Sequence, residues 1–168
     1  LILNDAVKVS SLPDFEKGSC YVQDVSAQLA AHLVSPKKGE LILDACCAPG
    51  GKTAQLLDNK LNVTSIERSR SRSKIFIDNM KRLKFNPDLI IIDAENCQIQ
   101  KFGENGTFID AYGSCGTGDL EFDFEHGSGD PDGGIDIDSE GNIYIADTGN
   151  DRVVKLDSDG VFVKTIGT

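Results

Sequence analysis

Residues 41 to 53 read LILDACCAPGGKT, a short apolar run, an acid, a small-residue turn and the start of a helix. A strand passing through a glycine turn into a helix is the unit of a parallel α/β sheet. The closing Gly51-Lys52-Thr53 matches the end of a phosphate loop, whose pattern also wants a glycine five residues before Gly51. That position is Cys46. Pro49 further removes a backbone N–H from the stretch that would have to donate to phosphate.

Two more apolar runs follow, VTSI (63–66) and LIII (89–92), and each of the three ends on an acid: Asp44, Glu67 and Asp93. Helical patterns separate them. Asp24 can cap a helix carrying Val25, Leu29 and Leu33 on one face, a second helix opens at about Lys52, and a third opens near Ser69 and buries Phe76, Met80 and Leu83. Strands that are apolar throughout, alternating with helices, imply βαβ units and a sheet of three parallel strands. Ligands of such sheets lie at the carboxyl ends of the strands, beside the three acids. Leu89 to Asp93 resembles a magnesium-binding strand and keeps the phosphate reading in play. The competing ligand is an adenosine without phosphates: Gly50 and Gly51 permit close backbone approach, Glu67 can accept both ribose hydroxyls, and Asp93 can sit at the adenine edge.

FEKGSCYVQDVSAQLAAHL (15–33) followed by GELILDACCAPGGKTAQLL (39–57) resembles the Sun family of bacterial small-subunit ribosomal RNA cytosine-5 methyltransferases. The likeness covers about residues 10 to 97, and it implies an α/β fold, half of a Rossmann-like methyltransferase sheet. It implies that the chain binds S-adenosyl-L-methionine, with Cys46, Cys47, Ala48, Pro49, Gly50, Gly51 and Lys52 around the methionine part, Glu67 at the ribose and Asp93 at the adenine. It also implies an RNA partner and a cytoplasmic setting. Carbon-5 methylation of a pyrimidine needs a thiolate that adds to carbon 6. The closest match to the family's cysteine loop is Asp110-Ala111-Tyr112-Gly113-Ser114-Cys115, where the proline is missing and the cysteine arrives two residues late. Cys115 is thus a weak candidate nucleophile, and no turnover is expected.

The chain changes character near residue 100. Residues 1–100 hold 13 Lys and Arg against 12 acids, whereas residues 101–168 hold 4 against 15, and 13 of the 17 glycines lie in the second part. Two domains, 1–100 and 101–168, are expected, and the acidic second one should repel nucleic acid. Residues 101–114, KFGENGTFIDAYGS, align with 155–168, KLDSDGVFVKTIGT, at an offset of 54. Short strands at 134–138, 142–147, 152–157 and 161–166, parted by Gly- and Asp-rich turns, predict an antiparallel four-stranded meander. The stretch GGIDIDSEGNIYIADTGNDRVVKLDSDGVFVKTIG (133–167) resembles an NHL repeat, one blade of a β-propeller. That resemblance implies a module that binds proteins, RNA or small ligands, with possible protein contacts through the one whole blade and the last strand or two of another. A propeller needs about four to eight blades, so closure within this chain is not expected. An engineered or recombined chimera is the expected origin.

Other features have plain readings. Residue 1 is Leu, so the chain reads as an excised segment. No run approaches the roughly 18 apolar residues of a membrane helix. Five cysteines without C-x-x-C spacing argue against a zinc ribbon or a disulfide framework and for a reducing compartment. RSRSRSK (68–74) reads as the solvated first turn of a helix, His32 as a helix-surface residue, and Asp136 to Gly141 as an Asp-rich hairpin turn rather than a calcium loop.

Overall fold

The computed structural model describes residues 7–37, 39–103, 106–124 and 133–167. The three apolar runs form β1 (Leu41–Asp44), β2 (Asn62–Glu67) and β3 (Asp88–Asp93), paired in parallel in the order β1-β2-β3. Between them lie α2 (Gly51–Asp58) and α3 (Arg70–Leu83), and α1 (Val25–Val34) precedes the sheet. Asp24 caps α1 by accepting from Ser26 N at 2.8 Å, and Ser69 caps α3. Phe76 and Met80 are buried under α3, with Leu83 packed partly against them.

The sheet does not stop at residue 100. β4 (Gln98–Phe102) pairs antiparallel to β3, and β5 (Phe108–Tyr112) antiparallel to β4, giving one five-stranded sheet in the order β1-β2-β3-β4-β5. Residue 100 therefore lies inside a strand. Residues 106–112 do not cover the free edge of β1, because β5 takes the opposite edge of the sheet. The reason is sequence proximity, because a short turn from β3 favours antiparallel return on the same side. β1 remains an edge strand, with Leu41 exposed. Val25, Leu29 and Leu33 of α1 are likewise exposed, since α1 meets α2 through polar contacts such as Gln55 Nε2 to the Gln28 carbonyl at 3.0 Å. His32 lies on that exposed seam, 3.5 Å from Gln55 Nε2.

A second sheet carries the expected meander: β8 (Gly134–Ile137), β9 (Ile143–Asp147), β10 (Arg152–Leu156) and β11 (Phe162–Gly167), all antiparallel to their neighbours. A two-residue parallel pair, β6 (Ser114–Cys115) and β7 (Glu121–Phe122), bridges the two sheets in sequence. Asp136 and Ile137 end β8 and residues 138–142 make the β8–β9 hairpin turn, with Asp138 accepting from the N–H groups of Glu140 and Asn142.

Alternation along β3 explains how the layers stack. Leu89 and Ile91 join Ala54, Phe76 and Met80 on the helical face. Ile90 and Ile92 join Ile99, Phe122, Phe124, Ile143, Ile145, Val154 and Leu156 on the other. The meander thus covers the sheet face that the helices leave open, and both parts of the chain contribute to one core. Among the described residues no helix is long and apolar enough to cross a membrane.

The repeat at offset 54 extends further back than the sequence comparison reached. β4 and β5 repeat β10 and β11, and both hairpins carry a register shift at the same place, Lys101/Phe102 and Lys155/Leu156. Positions 104, 105 and 168 of the repeat lie outside the described residues. β3 stands where β9 stands in the second copy, with Asp93 facing Gln98 as Asp147 faces Arg152. Cys97 and Asp151 both turn the chain at φ 51°. Asn96 donates to Asp93 Oδ2 at 3.0 Å, and Asn150 to Asp147 Oδ2 at 2.9 Å.

Candidate functional site

The carboxyl ends of β1, β2 and β3 bring together the 46–52 loop, Glu67 and Asp93. Asp44 closes the loop at both ends, accepting from Cys46 N at 3.4 Å and from Thr53 Oγ1 at 2.6 Å. Cys47 N donates to the Ile66 carbonyl at 3.0 Å, and Ala48 N to Glu67 Oε2 at 3.3 Å. Gly50 caps α2 at φ 109°, a region that disfavours any side chain. A Cβ there would lie 2.6 Å from Met80 Cε.

These bonds bear on the two ligands that the sequence left open. The N–H groups of Cys46, Cys47 and Ala48 are spent on Asp44, Ile66 and Glu67, and Pro49 has none. A phosphate needs several convergent backbone donors and no adjacent carboxylate. Residues 46–49 offer no free donor, and the carboxylates of Asp44 and Glu67 lie against them. Lys52 is exposed on the first turn of α2.

Glu67 is 1% exposed and accepts from Ala48 N through Oε2 and from Ser69 N through Oε1, with Arg72 at 3.6 Å. A carboxylate has about four lone-pair sites, so acceptor capacity remains. Asp93 is also 1% exposed. Its Oδ2 accepts from Asn96 and, at 2.6 Å, from Gln100, and Arg70 stands at 3.5 Å. Its Oδ1 is buried with no partner among the described residues. In the repeat the matching oxygen of Asp147 accepts from Asp123 N at 2.6 Å. A buried acceptor left open is costly, and it marks where a donor is missing at Asp93. Both acids and the glycine turn therefore fit a phosphate-free adenosine in their chemistry.

The cysteines divide by environment. Cys47 is buried, and desolvation, reinforced by Asp44 and Glu67, pushes its thiol well above the usual range. A thiol held protonated is a poor nucleophile. Cys46 is free and exposed. Cys115 is joined to Cys97 by a disulfide, with Cα atoms 4.9 Å apart. The expectation against a disulfide framework is corrected for this one pair. Spacing along the chain could not show it, because the β3–β4 turn and β6 meet only through the fold. Among the described residues no group of three or more His, Cys, Asp or Glu could hold a metal ion.

Sequence reasoning missed Arg72, Asn79, Asn96 and Gln100, which touch the loop or the acids. Only Asn96 had a signal, its match to Asn150 at offset 54.

Residues 31–112 match the family model of the 16S rRNA methyltransferases RsmB/F. The match ends before Cys115. The ribosomal RNA small subunit methyltransferase B of Vibrio vulnificus is 44% identical over 100 residues, covering 55% of this chain and 24% of the relative. The tRNA (cytosine(72)-C(5))-methyltransferase of Pyrococcus horikoshii is 40% identical over 90 residues, covering 51% of this chain and 23% of the relative. The crystal structure of NSun6 from Pyrococcus horikoshii with SFG aligns at a TM-score of 0.48 and 38% identity, covering 53% of this chain and 24% of that one. The chain thus spans about a quarter of the length of the curated relatives it matches. About half of it is homologous to ribosomal and transfer RNA cytosine-5 methyltransferases.

Proposed function

We propose that the chain is the S-adenosylmethionine-binding part of an RNA cytosine-5 methyltransferase, joined to a meander of the NHL-blade type. The observation that carries this reading is the loop after β1, whose own N–H groups are spent on Asp44, Ile66 and Glu67. Such a loop, with the carboxylates of Asp44 and Glu67 against it, favours a ligand without phosphates. Residues 46–52 would hold the methionine part, Glu67 the ribose hydroxyls and the open Oδ1 of Asp93 the adenine amino group. Bound there, the cofactor supplies an electrophilic methyl group.

The chain's own residues bind and orient without completing the reaction. Attack on carbon 6 of a cytosine needs a free thiolate in reach, and Cys115 is held in a disulfide while Cys47 is buried and protonated. The substrate class that the relatives suggest is a cytoplasmic RNA.

Calorimetry with S-adenosylhomocysteine tests the assignment. Weak binding is expected, and Glu67→Ala should cost about 1.5–3 kcal/mol for each charged hydrogen bond removed. Equal affinity in the two proteins overturns the site. Methyl transfer to 16S ribosomal RNA is expected to be absent, and transfer abolished by Cys115→Ala would overturn that half.

One observation favours a second reading, a non-enzymatic β-module that contacts proteins. β3, β4 and β5 repeat the pairing and turn of β9, β10 and β11, so Asp93 also has a purely architectural role open to it. A chain that folds cooperatively but ignores S-adenosylhomocysteine would decide for this reading.

A further inference from the structure

The 46–52 loop is held from outside by α3. Arg72 Nη2 donates to the Ala48 carbonyl at 2.8 Å, and Asn79 Nδ2 donates to the Pro49 carbonyl at 2.8 Å. These two residues are seven apart, two helical turns, and so lie on one face of α3. Phe76 and Met80 fall on the same side and pack under Gly50. On the other side of Ala48, its N–H is held by Glu67 Oε2, the oxygen that Arg72 approaches to 3.6 Å. Both polar groups of Ala48 are thus fixed by side chains, and the next carbonyl as well.

We propose that Arg72 and Asn79 are positioning residues that clamp the cofactor loop. Tying two successive carbonyls to α3 fixes the peptide planes of residues 48 to 50 and so the direction in which the turn enters α2. The 2.8 Å bond to Ala48 is the stronger contact of Arg72, because 3.6 Å to Glu67 is an ion pair without hydrogen-bond geometry. Half-exposed as it is, the guanidinium acts mainly through that directed bond rather than through charge. The clamp itself is read from the loop. Its service to S-adenosylmethionine rests on the function proposed above.

Two readouts separate the clamp from the ligand. The first needs no cofactor: Cys47 is buried in the loop, so its alkylation by iodoacetamide, mapped by mass spectrometry, reports loop opening. Arg72→Ala should speed alkylation of Cys47 about fivefold through local opening, with the thermal midpoint of the whole chain little changed. The second is calorimetry with S-adenosylhomocysteine, where Arg72→Ala should weaken binding about tenfold and Arg72→Lys, which keeps a donor, only about threefold. Asn79→Ala should act in the same direction on both readouts, and it carries the test if Arg72→Ala fails to fold. An unchanged Cys47 rate, or a variant that binds as tightly as the parent or tighter, overturns the proposal. If the parent chain ignores S-adenosylhomocysteine while Cys47 still accelerates, the cofactor reading falls and the clamp stands.

Discussion

Arg152 donates from Nε to Asp147 Oδ2 at 2.7 Å, and the carboxylate is fully buried. The same guanidinium donates to the carbonyls of Thr117, Gly118 and Glu121. One side chain therefore satisfies a buried charge in β9 and ties the meander to the β6–β7 segment. Removing one partner of a buried pair leaves the other unpaired, which costs about 3–5 kcal/mol. Arg152→Ala should lose that much in chemical denaturation. Arg152→Lys should recover little, because an ammonium lacks the planar fork. By contrast, Lys17→Ala, breaking the exposed 2.7 Å pair with Asp14, should cost less than about 1 kcal/mol. Equal losses for Arg152→Ala and Lys17→Ala would show that the buried pair has no special weight.

The Cys97–Cys115 bond closes a loop of sequence separation 18. Restricting the unfolded chain over such a loop stabilises by about 3 kcal/mol. Stability measured with and without a dithiol should differ by about that amount, and the double variant Cys97→Ser/Cys115→Ser should be indifferent to the dithiol. Thiol titration of the unfolded, unreduced chain should find Cys20, Cys46 and Cys47 free. Five reactive thiols at the outset would count against the crosslink.

The three parallel strands and the meander were legible because their signals are local. Apolar runs ending on Asp44, Glu67 and Asp93 announce β1 to β3, and Ser158-Asp159-Gly160 announces the β10–β11 turn. β4 was not legible, because QIQKF (98–102) carries a single fully buried residue, Ile99, amid polar neighbours. Its place beside β3 is fixed by pairing, not by its own hydrophobicity. The site's acids could be named from strand ends. Their partners could not, since Arg72 and Asn79 reach the loop over 24 and 30 residues of sequence. RSRSRSK was read as solvated helix, yet two of its arginines stand over the acids at β2 and β3.

Asp138 accepts from the Asn142 side chain, the backbone N–H groups of Asn142 and Glu140, and the Tyr144 hydroxyl. These bonds, the Asn142 amide foremost, hold its carboxyl down at about 2 against an ordinary 3.8. A depressed folded value means that the carboxylate stabilises the hairpin above about pH 4 and loses that contribution as pH falls towards 2. Carbon-detected NMR titration of Asp138 should show the low midpoint, and Asn142→Ala should move it up towards 3.8. A midpoint unmoved by that substitution would remove the amide as its cause.

Gly50 and Gly39 separate two costs of a side chain. Both have positive φ, 109° and 94°, but a Cβ at Gly39 meets nothing within 4 Å among the described residues. Gly39→Ala should therefore cost only the left-handed strain, about 1–2 kcal/mol. Gly50→Ala adds the contact at 2.6 Å with Met80 Cε and at 3.2 Å with Phe76. Met80 ends in a flexible methyl and can give way, so the excess should be about 1 kcal/mol rather than several. Identical denaturation midpoints for the two variants would mean that the loop lies farther from α3 than described.

Deleting residues 101–168 should leave the first part molten or insoluble. The deletion removes Lys101 and Phe102 from β4 and all of β5, baring the hydrogen-bonding edge of β3 at Leu89 and Ile90, which invites aggregation. It also strips Phe122, Phe124, Ile143, Ile145, Val154 and Leu156 from the face of Ile90 and Ile92. Fully burying one such side chain is worth about 1.5–3 kcal/mol, and a chain of this size has little stability to lose. The shortened chain should keep helical circular dichroism from α2 and α3, bind a hydrophobic dye and melt without a sharp transition. If residues 1–100 instead remain soluble and unfold cooperatively, the core shared across β3 is dispensable and the two parts of the chain fold independently.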